Sequence, residues 1–281
     1  GSLQYRLELD YERENWKYGS GDMVMSIDKV FVGYSIDKHN YIEAGLTDTA
    51  FDDYDKWGDF TFDTTVETGE AGDQDKTVKY EGNYAGFKLG ISYSYQSESS
   101  SGSELGNVAN GYLGYFGDDF SVVVGGESRT GSDGESKYGE QRLAGFGARY
   151  AVTDSIHLGI NGFIEKEDIA QDQVTVDNTD PENVIKVYND YKTLKHQGGL
   201  ISGKYILSEK WQFVASMNLE EYAHWDKNSS DWDGSDYEWG KSRTWRTIGV
   251  NFKPTKSSII ALELNQGEAA QEAYAYTRIY F

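Results

Sequence analysis

The residues of this chain with the clearest potential for chemistry are carboxylates grouped in one polar segment, residues 50–76. The stretch "AFDDYDKWGDFTFD", which opens that segment, places aspartates a few residues apart among aromatic side chains. Carboxylates this dense attract cations, and the attraction grows where low-dielectric walls confine the field. If the segment folds into an enclosed space, we expect cations to gather beside it. The aspartates concerned are Asp52, Asp53, Asp55, Asp59 and Asp63.

Basic side chains recur in segments whose apolar and polar residues alternate. In an extended chain, alternate residues share one face. We therefore expect these basic residues to lie on the polar face of the strands, toward which the acidic segment would fold. Two of them, Lys29 and Lys79, lie near the middle of their segments, where a basic wall would oppose an acidic one. The full set is Arg6, Lys29, Lys79, Lys88 and Arg149.

Enzyme and metal sites find little support in the sequence. The four histidines are scattered, and the chain has no G-x-S-x-G element and no histidine pair at metal-ligand spacing. The oxygen-rich stretch "DKNSSDWDGSD", from Asp226, lacks the glycine spacing of an EF-hand loop. Cysteine is absent, so there is neither a disulfide nor a thiolate metal site. We therefore predict no catalytic residue, no bound metal and no cofactor.

Tryptophans suggest a different chemistry, the stacking of sugar rings. Several lie in "HWDKNSSDWDGSDYEWGKSRTW", from His224, and another lies in the acidic segment. They could form a track for saccharides. The competing interpretation is that they pack loops together or form an aromatic girdle at a membrane interface. The candidates are Trp57, Trp225, Trp232 and Trp239.

The elements that must position these residues are β-strands. "LQYRLELDY", from Leu3, alternates apolar and polar residues, and "FKLGISYSY", from Phe87, does the same. About fourteen segments follow this period of two, which predicts an all-β fold. No apolar run reaches the length of about 18 residues that a transmembrane helix needs.

The connections between these segments alternate in length. Short turns such as "DKHN", from Asp37, alternate with long polar loops such as 167–190. Outer-membrane barrels have short periplasmic turns and long outer loops, and a sheet can span lipid only if it is closed. We therefore predict one domain, residues 1–281, folded as a transmembrane antiparallel β-barrel. A soluble β-sandwich or propeller is the alternative, because single strands alternate there too.

Charge and composition exclude two further classes of protein. With Lys+Arg 26 and Asp+Glu 47, the formal net charge is -21, which opposes binding to the nucleic-acid backbone. Aromatic residues make up 15% of the chain, which contradicts the composition of a disordered acidic protein. We predict a folded protein that does not bind nucleic acid.

Longer stretches resemble the general porins of Gram-negative bacteria. "EAGLTDTAFDDYDKWGDFTFD", from Glu43, is similar to the point where a porin strand ends and an acidic, inward-folded loop begins. "TVKYEGNYAGFKLGISYSYQ", from Thr77, carries the Val-x-Tyr element of the next strand. "RLAGFGARYAVTDSIHLGINGF", from Arg142, has the cadence of the same family. The resemblance covers most of the chain.

The resemblance implies a water-filled channel of the bacterial outer membrane, through which small hydrophilic solutes and ions diffuse passively. It implies that segment 50–76 folds inward as the constriction of the pore. It also implies a homotrimer surrounded by outer-membrane lipid and lipopolysaccharide. A saccharide-specific porin with an aromatic track is the alternative within the same fold.

Two departures from the family bear on strand number and selectivity. Family barrels have about sixteen strands, and "LQYRLELDYE" resembles the third, so we expect either a missing first hairpin or a fourteen-stranded relative. Leu46 stands where the family has an arginine, and Ala50 stands where it has a proline. The basic side of the pore should therefore be weaker, and we expect the channel to prefer cations.

The chain ends in "EAYAYTRIYF", an alternating segment that finishes on Phe281. A terminal aromatic residue on a last strand resembles the assembly signal that the barrel insertion machinery recognises in outer-membrane proteins. The resemblance implies that Phe281 lies at the periplasmic rim. Closure of the predicted barrel requires this last strand to pair with the first.

Overall fold

The computed structural model confirms that the chain is all-β. One antiparallel sheet contains fifteen strands; fourteen of them follow chain order, and the short β12 pairs with β11. The strands are β1 Ser2–Asn15, β2 Ser20–Ser35, β3 Asn40–Asp48, β4 Asp73–Tyr84, β5 Phe87–Glu98, β6 Glu104–Phe116, β7 Phe120–Arg129, β8 Tyr138–Thr153, β9 Ile156–Thr175, β10 Lys186–Ile206, β11 Trp211–Asp226, β12 Glu238–Trp239, β13 Arg243–Thr255, β14 Ser258–Gly267 and β15 Gln271–Ile279. The structure describes residues 1–15, 20–62, 71–98, 104–130, 138–175, 186–226, 238–239, 242–268 and 271–279. Within these ranges, no helix is long and apolar enough to cross a membrane.

The alternation of residue types separates the two faces of the sheet. On one face, Tyr5 and Ile201 are 85% and 65% exposed. On the other face, the polar residues Ser94 and Thr247 are fully buried. Successive side chains of a strand point to opposite faces, so the apolar positions form a continuous outer surface. Such a sheet suits lipid on the outside and water on the inside.

One end of the sheet carries six short turns, as predicted. In the turn between β4 and β5, Ala85 and Gly86 have φ angles of 50° and 87°, the conformation that matches the twist of paired strands in a two-residue hairpin. The opposite end has the longest connection, 49–72, but it also has the connections 16–19 and 268–270, which are as short as these turns. The short turns are 36–39, 85–86, 117–119, 154–155, 207–210 and 256–257.

Several strands continue into stretches that the sequence predicts as loops. The predicted loop 167–190 is partly strand, because β9 has 20 residues and β10 has 21. Their ladder continues as far as the pair Thr175 and Lys186. A tilted membrane-crossing strand needs only about 9–11 residues, so this hairpin extends beyond the bilayer. Backbone hydrogen bonds maintain the ladder whether or not the side chains are apolar.

The pairing of the last strand with the first, which the sequence predicts, is not formed among the described residues. β1 and β15 are the two edges of the sheet, and each has a single neighbouring strand. Leu3 on β1 is 71% exposed, as expected on an edge. The prediction rests on the requirement that a sheet in lipid be closed, whereas closure also depends on strand number and stagger.

Candidate functional site

Residues 49–62, which follow β3, lie against the polar face of the sheet. The backbone N–H of Ala50 donates to Ser92 Oγ on β5 at 3.0 Å, and that of Phe62 donates to Glu263 Oε1 on β14 at 2.8 Å. One short segment can contact strands this far apart only if the sheet curves around it. We call residues 49–62 the inner segment and the space enclosed by the polar face the lumen.

Between these two ends, the inner segment is hydrogen bonded to the intervening strands. Most of these bonds join an inward-facing side chain of the wall to a backbone carbonyl of the inner segment. They therefore depend on the backbone conformation of the segment more than on the identity of its side chains. Each such bond contributes about 0.5–1.5 kcal/mol net. They run from Asn161 Nδ2 to the Asp55 carbonyl at 2.7 Å, from Ser202 Oγ to the Gly58 carbonyl at 2.6 Å and from Arg149 to the Asp59 carbonyl at 2.8 Å.

An apolar cluster anchors the start of the inner segment. Phe51 is fully buried, and it packs with Ala50 against side chains of β6, β7 and β8. The wall residues of the cluster are Tyr112, Val123 and Leu143. Removing one buried phenylalanine from such a cluster costs about 3–5 kcal/mol, so this anchor holds the segment strongly against the wall.

Inward-facing glycines make room for the segment. A Cβ atom on Gly125 would lie 2.1 Å from the Phe51 ring, and one on Gly147 would lie 1.6 Å from the Trp57 carbonyl oxygen. A Cβ on Gly159 would similarly meet the Gly58 carbonyl oxygen at 1.9 Å. Any other residue would overlap the segment at these positions. These glycines occupy polar-face positions in the alternating pattern of their strands. That alternation is the sequence feature that could have indicated where the inner segment packs against the wall.

The acidic residues at the start of the segment lie beside wall carboxylates. Asp48, Asp52 and Asp53 each place a carboxylate oxygen within 4.8 Å of the others. Burial raises the pKa of Asp53, and the neighbouring Asp48 and Asp52 raise it further, while Lys79 and Lys29 act in the opposite direction. This acidic cluster is the densest negative charge of the inner segment and of the strand end that precedes it.

Two of the predicted basic residues lie on the same wall as this cluster rather than opposite it. Lys29 Nζ is 2.6 Å from Asp48 Oδ1 and 3.5 Å from Asp73 Oδ1. Lys79 Nζ is 2.8 Å from Glu43 Oε1, and both side chains are buried. The structure therefore places their charges next to wall carboxylates.

The remaining predicted basic residues are spread around the lumen. Lys88 lies 4.9 Å from the centre of the Phe116 ring. Arg6 forms an ion pair with Glu8 on the edge strand β1. Arg149 faces the far part of the inner segment, and its guanidinium carbon lies 3.8 Å from the centre of the Trp57 ring.

The other predicted aspartates differ in their surroundings. Asp59 is 5% exposed, and its carboxylate accepts hydrogen bonds at 2.8 Å from the backbone N–H and the hydroxyl of Thr61. Burial raises the pKa of Asp59, and these hydrogen bonds partly oppose the rise. Asp55 contributes its backbone carbonyl to Asn161. Asp63 lies outside the described residues.

The predicted tryptophans are only partly described. The Trp57 indole N–H donates to Ser121 Oγ at 3.0 Å, and the ring meets Phe116 edge-on at 5.1 Å between centroids. With Arg149 over its face, Trp57 is packed into the wall. Trp232 and Phe281 lie outside the described residues, as do the side chains of Trp225 and Trp239.

Basic residues that sequence reasoning missed face the far part of the inner segment. Lys204 Nζ lies 4.6 Å from the centre of the Phe60 ring. Lys253 and Lys256 line a cavity beside the same residue, together with Arg149. Strand alternation placed Lys204 and Lys253 on the polar face, so parity could have identified them. Their meeting with Phe60 could not be anticipated, because it depends on the path of the segment.

A buried histidine network links the strands on another part of the lumenal wall. His196 Nε2 is 2.7 Å from Glu220 Oε1, and the ring stacks on Tyr222 at 4.0 Å between centroids. Its Nδ1 faces Glu165 Oε2 at 3.4 Å. Contacts of this kind connect β9, β10 and β11. The sequence did not indicate them, because the residues that His196 contacts lie on other strands, far from it along the chain.

Comparison with known proteins identifies the family. The family model described as Gram-negative porin matches residues 1–255, and comparison with curated proteins yields no match. A loop-deletion mutant of OmpT, an outer membrane protein of Vibrio cholerae, has a similar structure, with a TM-score of 0.67, 16% identity and coverage of 100% of this chain and 86% of that one. The trimer form of in-vitro folded OmpT from Vibrio cholerae has a TM-score of 0.64 and 15% identity, and the match covers 99% of this chain and 86% of that one. The anion-selective porin from Comamonas acidovorans has a TM-score of 0.55 and 13% identity, and the match covers 100% of this chain and 81% of that one. The chain therefore belongs to the Gram-negative porin family, and it is a channel-forming β-barrel protein of the bacterial outer membrane.

Proposed function

We propose that the inner segment, with the rest of residues 50–76, is the constriction of this porin channel and that the channel prefers cations. Transport is passive diffusion of small hydrophilic solutes and ions, without a catalytic step. The contacts of the inner segment with β5 through β14 support its position inside the lumen. Selectivity needs its own argument, because one protein of similar structure is an anion-selective porin.

The observation that carries the cation preference is the acidic cluster of Asp48, Asp52 and Asp53. The nearby ammonium groups of Lys29 and Lys79 lie within 2.8 Å of Asp48 and Glu43. Carboxylates therefore outnumber ammonium groups at this place. In a confined lumen, the resulting negative potential raises the local concentration of cations and lowers that of anions.

A reversal potential across a bilayer with a KCl gradient tests this proposal. The unmodified channel should favour potassium, and Asp52→Asn combined with Asp53→Asn should lower that preference. The matched control is Asp118→Asn with Asp119→Asn, which removes the same charge from an exposed short turn. Anion selectivity of the unmodified channel, or equal effects of both double variants, would contradict the proposal.

Ionic strength and the two lysines provide a second test. The cation preference should weaken between about 0.1 M and 1 M salt, because the Debye length falls from about 10 Å to about 3 Å. Lys29→Ala and Lys79→Ala should each raise the preference, because each leaves a wall carboxylate without its ammonium partner. A preference that does not respond to salt would show that these charges do not set it.

A saccharide-specific channel is the alternative function. Of the proposed sugar-stacking residues, Trp57 has its side chain described, and Arg149 covers one face of its ring. This packing favours the general channel. Liposome swelling with glucose, maltose and larger oligosaccharides separates the two: a general pore ranks solutes by size alone, whereas a specific pore prefers one class of sugar beyond size.

We also propose a homotrimer in contact with lipid and lipopolysaccharide. The outer face of β2 and β3 presents Val30, Val32, Tyr34 and Ile42, each at least 38% exposed, and one protein of similar structure is recorded in a trimer form. Recognition of Phe281 by the barrel insertion machinery belongs to the same proposal. A native mass in detergent equal to one chain would refute the trimer, and unimpaired assembly of Phe281→Ala would refute the assembly signal.

A further inference from the structure

A cavity beside the far end of the inner segment is lined by basic side chains. Its volume is about 370 Å³, and it is bounded by residues 59–62 and by β8, β10, β11, β13 and β14. Cavities of about 300–1,000 Å³ are typical of small-molecule sites. Because the turn 256–257 contributes to the lining, the cavity lies at the short-turn, periplasmic end of the lumen. Its basic residues are Arg149, Lys204, Lys253 and Lys256.

The charge of this basic cavity is strongly positive. Among its lining residues, Asp59 supplies the carboxylate, and that carboxylate is occupied by the N–H and hydroxyl of Thr61. Arg149 donates to the backbone carbonyl of Asp59 at 2.8 Å. Among the lining residues, four cations therefore face one carboxylate. An anion in that space would relieve their mutual repulsion.

Two of the lining residues each carry a buried polar atom that has no hydrogen-bond partner among the described residues. These atoms are Arg149 Nε and Asn251 Oδ1. Leaving such a group unsatisfied costs about 1–3 kcal/mol. The arginine N–H can donate to an anionic oxygen, and the asparagine oxygen can accept from a hydroxyl. One molecule that carries both an anionic group and hydroxyls satisfies both.

An aromatic ring positions two of the cations. The Phe60 ring lies 5.1 Å from the Arg149 guanidinium carbon and 4.6 Å from Lys204 Nζ. Cations are held over aromatic faces at such distances. The two groups are therefore placed beside the cavity before any ligand arrives.

From this geometry we propose that the basic cavity binds a small phosphorylated solute that carries hydroxyl groups, of the size of a hexose phosphate. Arg149, Lys204 and Lys253 bind the phosphate, and Asn251 accepts from a hydroxyl. The site is distinct from the acidic cluster at the other end of the inner segment. The inference rests on the proposed channel only for the route by which the solute arrives.

Isothermal titration calorimetry of the detergent-solubilised protein tests the site at low salt. Glucose 6-phosphate should bind about tenfold or more tightly than glucose, because glucose lacks the anionic group. Lys204→Gln combined with Lys253→Gln should weaken binding of glucose 6-phosphate by about tenfold or more. Lys210→Gln, an exposed lysine on the neighbouring turn 207–210, is the control and should leave binding unchanged.

Asn251→Ala separates recognition of the hydroxyl from general attraction of anions. It should weaken binding of glucose 6-phosphate and leave binding of inorganic phosphate unchanged. Equal affinities for glucose and glucose 6-phosphate, or equal losses in the Lys204/Lys253 and Lys210 variants, would overturn the proposal. Calorimetry measures binding whether or not the protein conducts ions. A protein that conducts ions but does not bind glucose 6-phosphate would overturn this inference alone. A protein that binds glucose 6-phosphate but does not conduct ions would overturn the proposed function alone.

Discussion

Replacing Gly147 by alanine should displace the inner segment and alter the channel without unfolding the barrel. The added Cβ would lie 1.6 Å from the Trp57 carbonyl oxygen, whereas real Cβ atoms do not approach closer than 3.0 Å. One partner must therefore move by at least the difference, 1.4 Å. Gly147 is paired on both sides, with Val123 and with Asn161, so the segment should move rather than the wall.

The energetic cost has two parts. Overpacking of this kind costs about 1–3 kcal/mol. The shift would also stretch the bond from Asn161 Nδ2 to the Trp57 carbonyl, now 3.3 Å long, at a net cost of about 0.5–1.5 kcal/mol. A loss of this size loosens the segment, while the ladders of the strands remain.

Single-channel recording in a planar bilayer measures the consequence. A segment pushed from the wall into the lumen should lower the conductance and increase current noise, while heat-modifiable gel migration stays unchanged. Gly203→Ala on the outer face is the matched control, because its Cβ would have 3.8 Å to its nearest neighbour. Unchanged conductance in Gly147→Ala, or the same change in Gly203→Ala, would refute the reasoning.

Three further predictions concern the anchor, the carboxylates and a buried ion pair. Phe51→Ala should lower the stability of the folded protein by about 3–5 kcal/mol in denaturant unfolding and increase the frequency of spontaneous channel closures; unchanged stability would contradict the buried anchor. Desolvation raises the pKa of Asp53 above the ordinary value of about 3.9, although part of its side chain is exposed, so this group of the acidic cluster loses its charge earlier than an aspartate in water on acidification. The reversal potential should show cation preference falling already above about pH 4, and, because protonation favours the buried state, acid should not release the segment. Lys79→Met should cost about 3–5 kcal/mol by leaving the buried Glu43 carboxylate without a counter-charge, with Thr47 as a remaining hydrogen-bond donor, and adding Glu43→Gln should recover part of the loss; an equal or larger loss in the double variant would contradict the pairing.

Much of the fold could be predicted from the sequence because the side-chain period of a strand is local. Alternation in "FKLGISYSY" correctly placed Ile91 and Tyr93 on the exposed face. The same rule could not locate strand ends, since the β9–β10 ladder continues through polar residues to Thr175. Nor could it decide closure, because β1 and β15 meet only if the curvature of the whole sheet brings them together.

The position of Leu46 shows that comparison with a family motif does not fix the face that a residue occupies. Its replacement of a family arginine suggested a weaker basic side of the lumen. In the structure, Leu46 pairs with Val30, whose side chain is 47% exposed on the apolar face. A register shift between Gly45 and Thr47 lies beside this pair, and a bulge changes the face of the residues after it. Asp48, whose partner is Lys29, contributes charge to the lumen near this point.

The candidate site was harder to predict than the fold because contacts with the wall determine the surroundings of each aspartate. Asp52 and Asp59 lie in the same short stretch and have the same chemistry in the sequence. Asp52 belongs to the acidic cluster, whereas Asp59 is buried against Thr61. Gly147 leaves room for the Trp57 carbonyl oxygen against β8, so the stretch that carries Asp59 lies close to the wall. Residues far along the chain thus determine the surroundings of each carboxylate, and local patterns of charge do not contain that information.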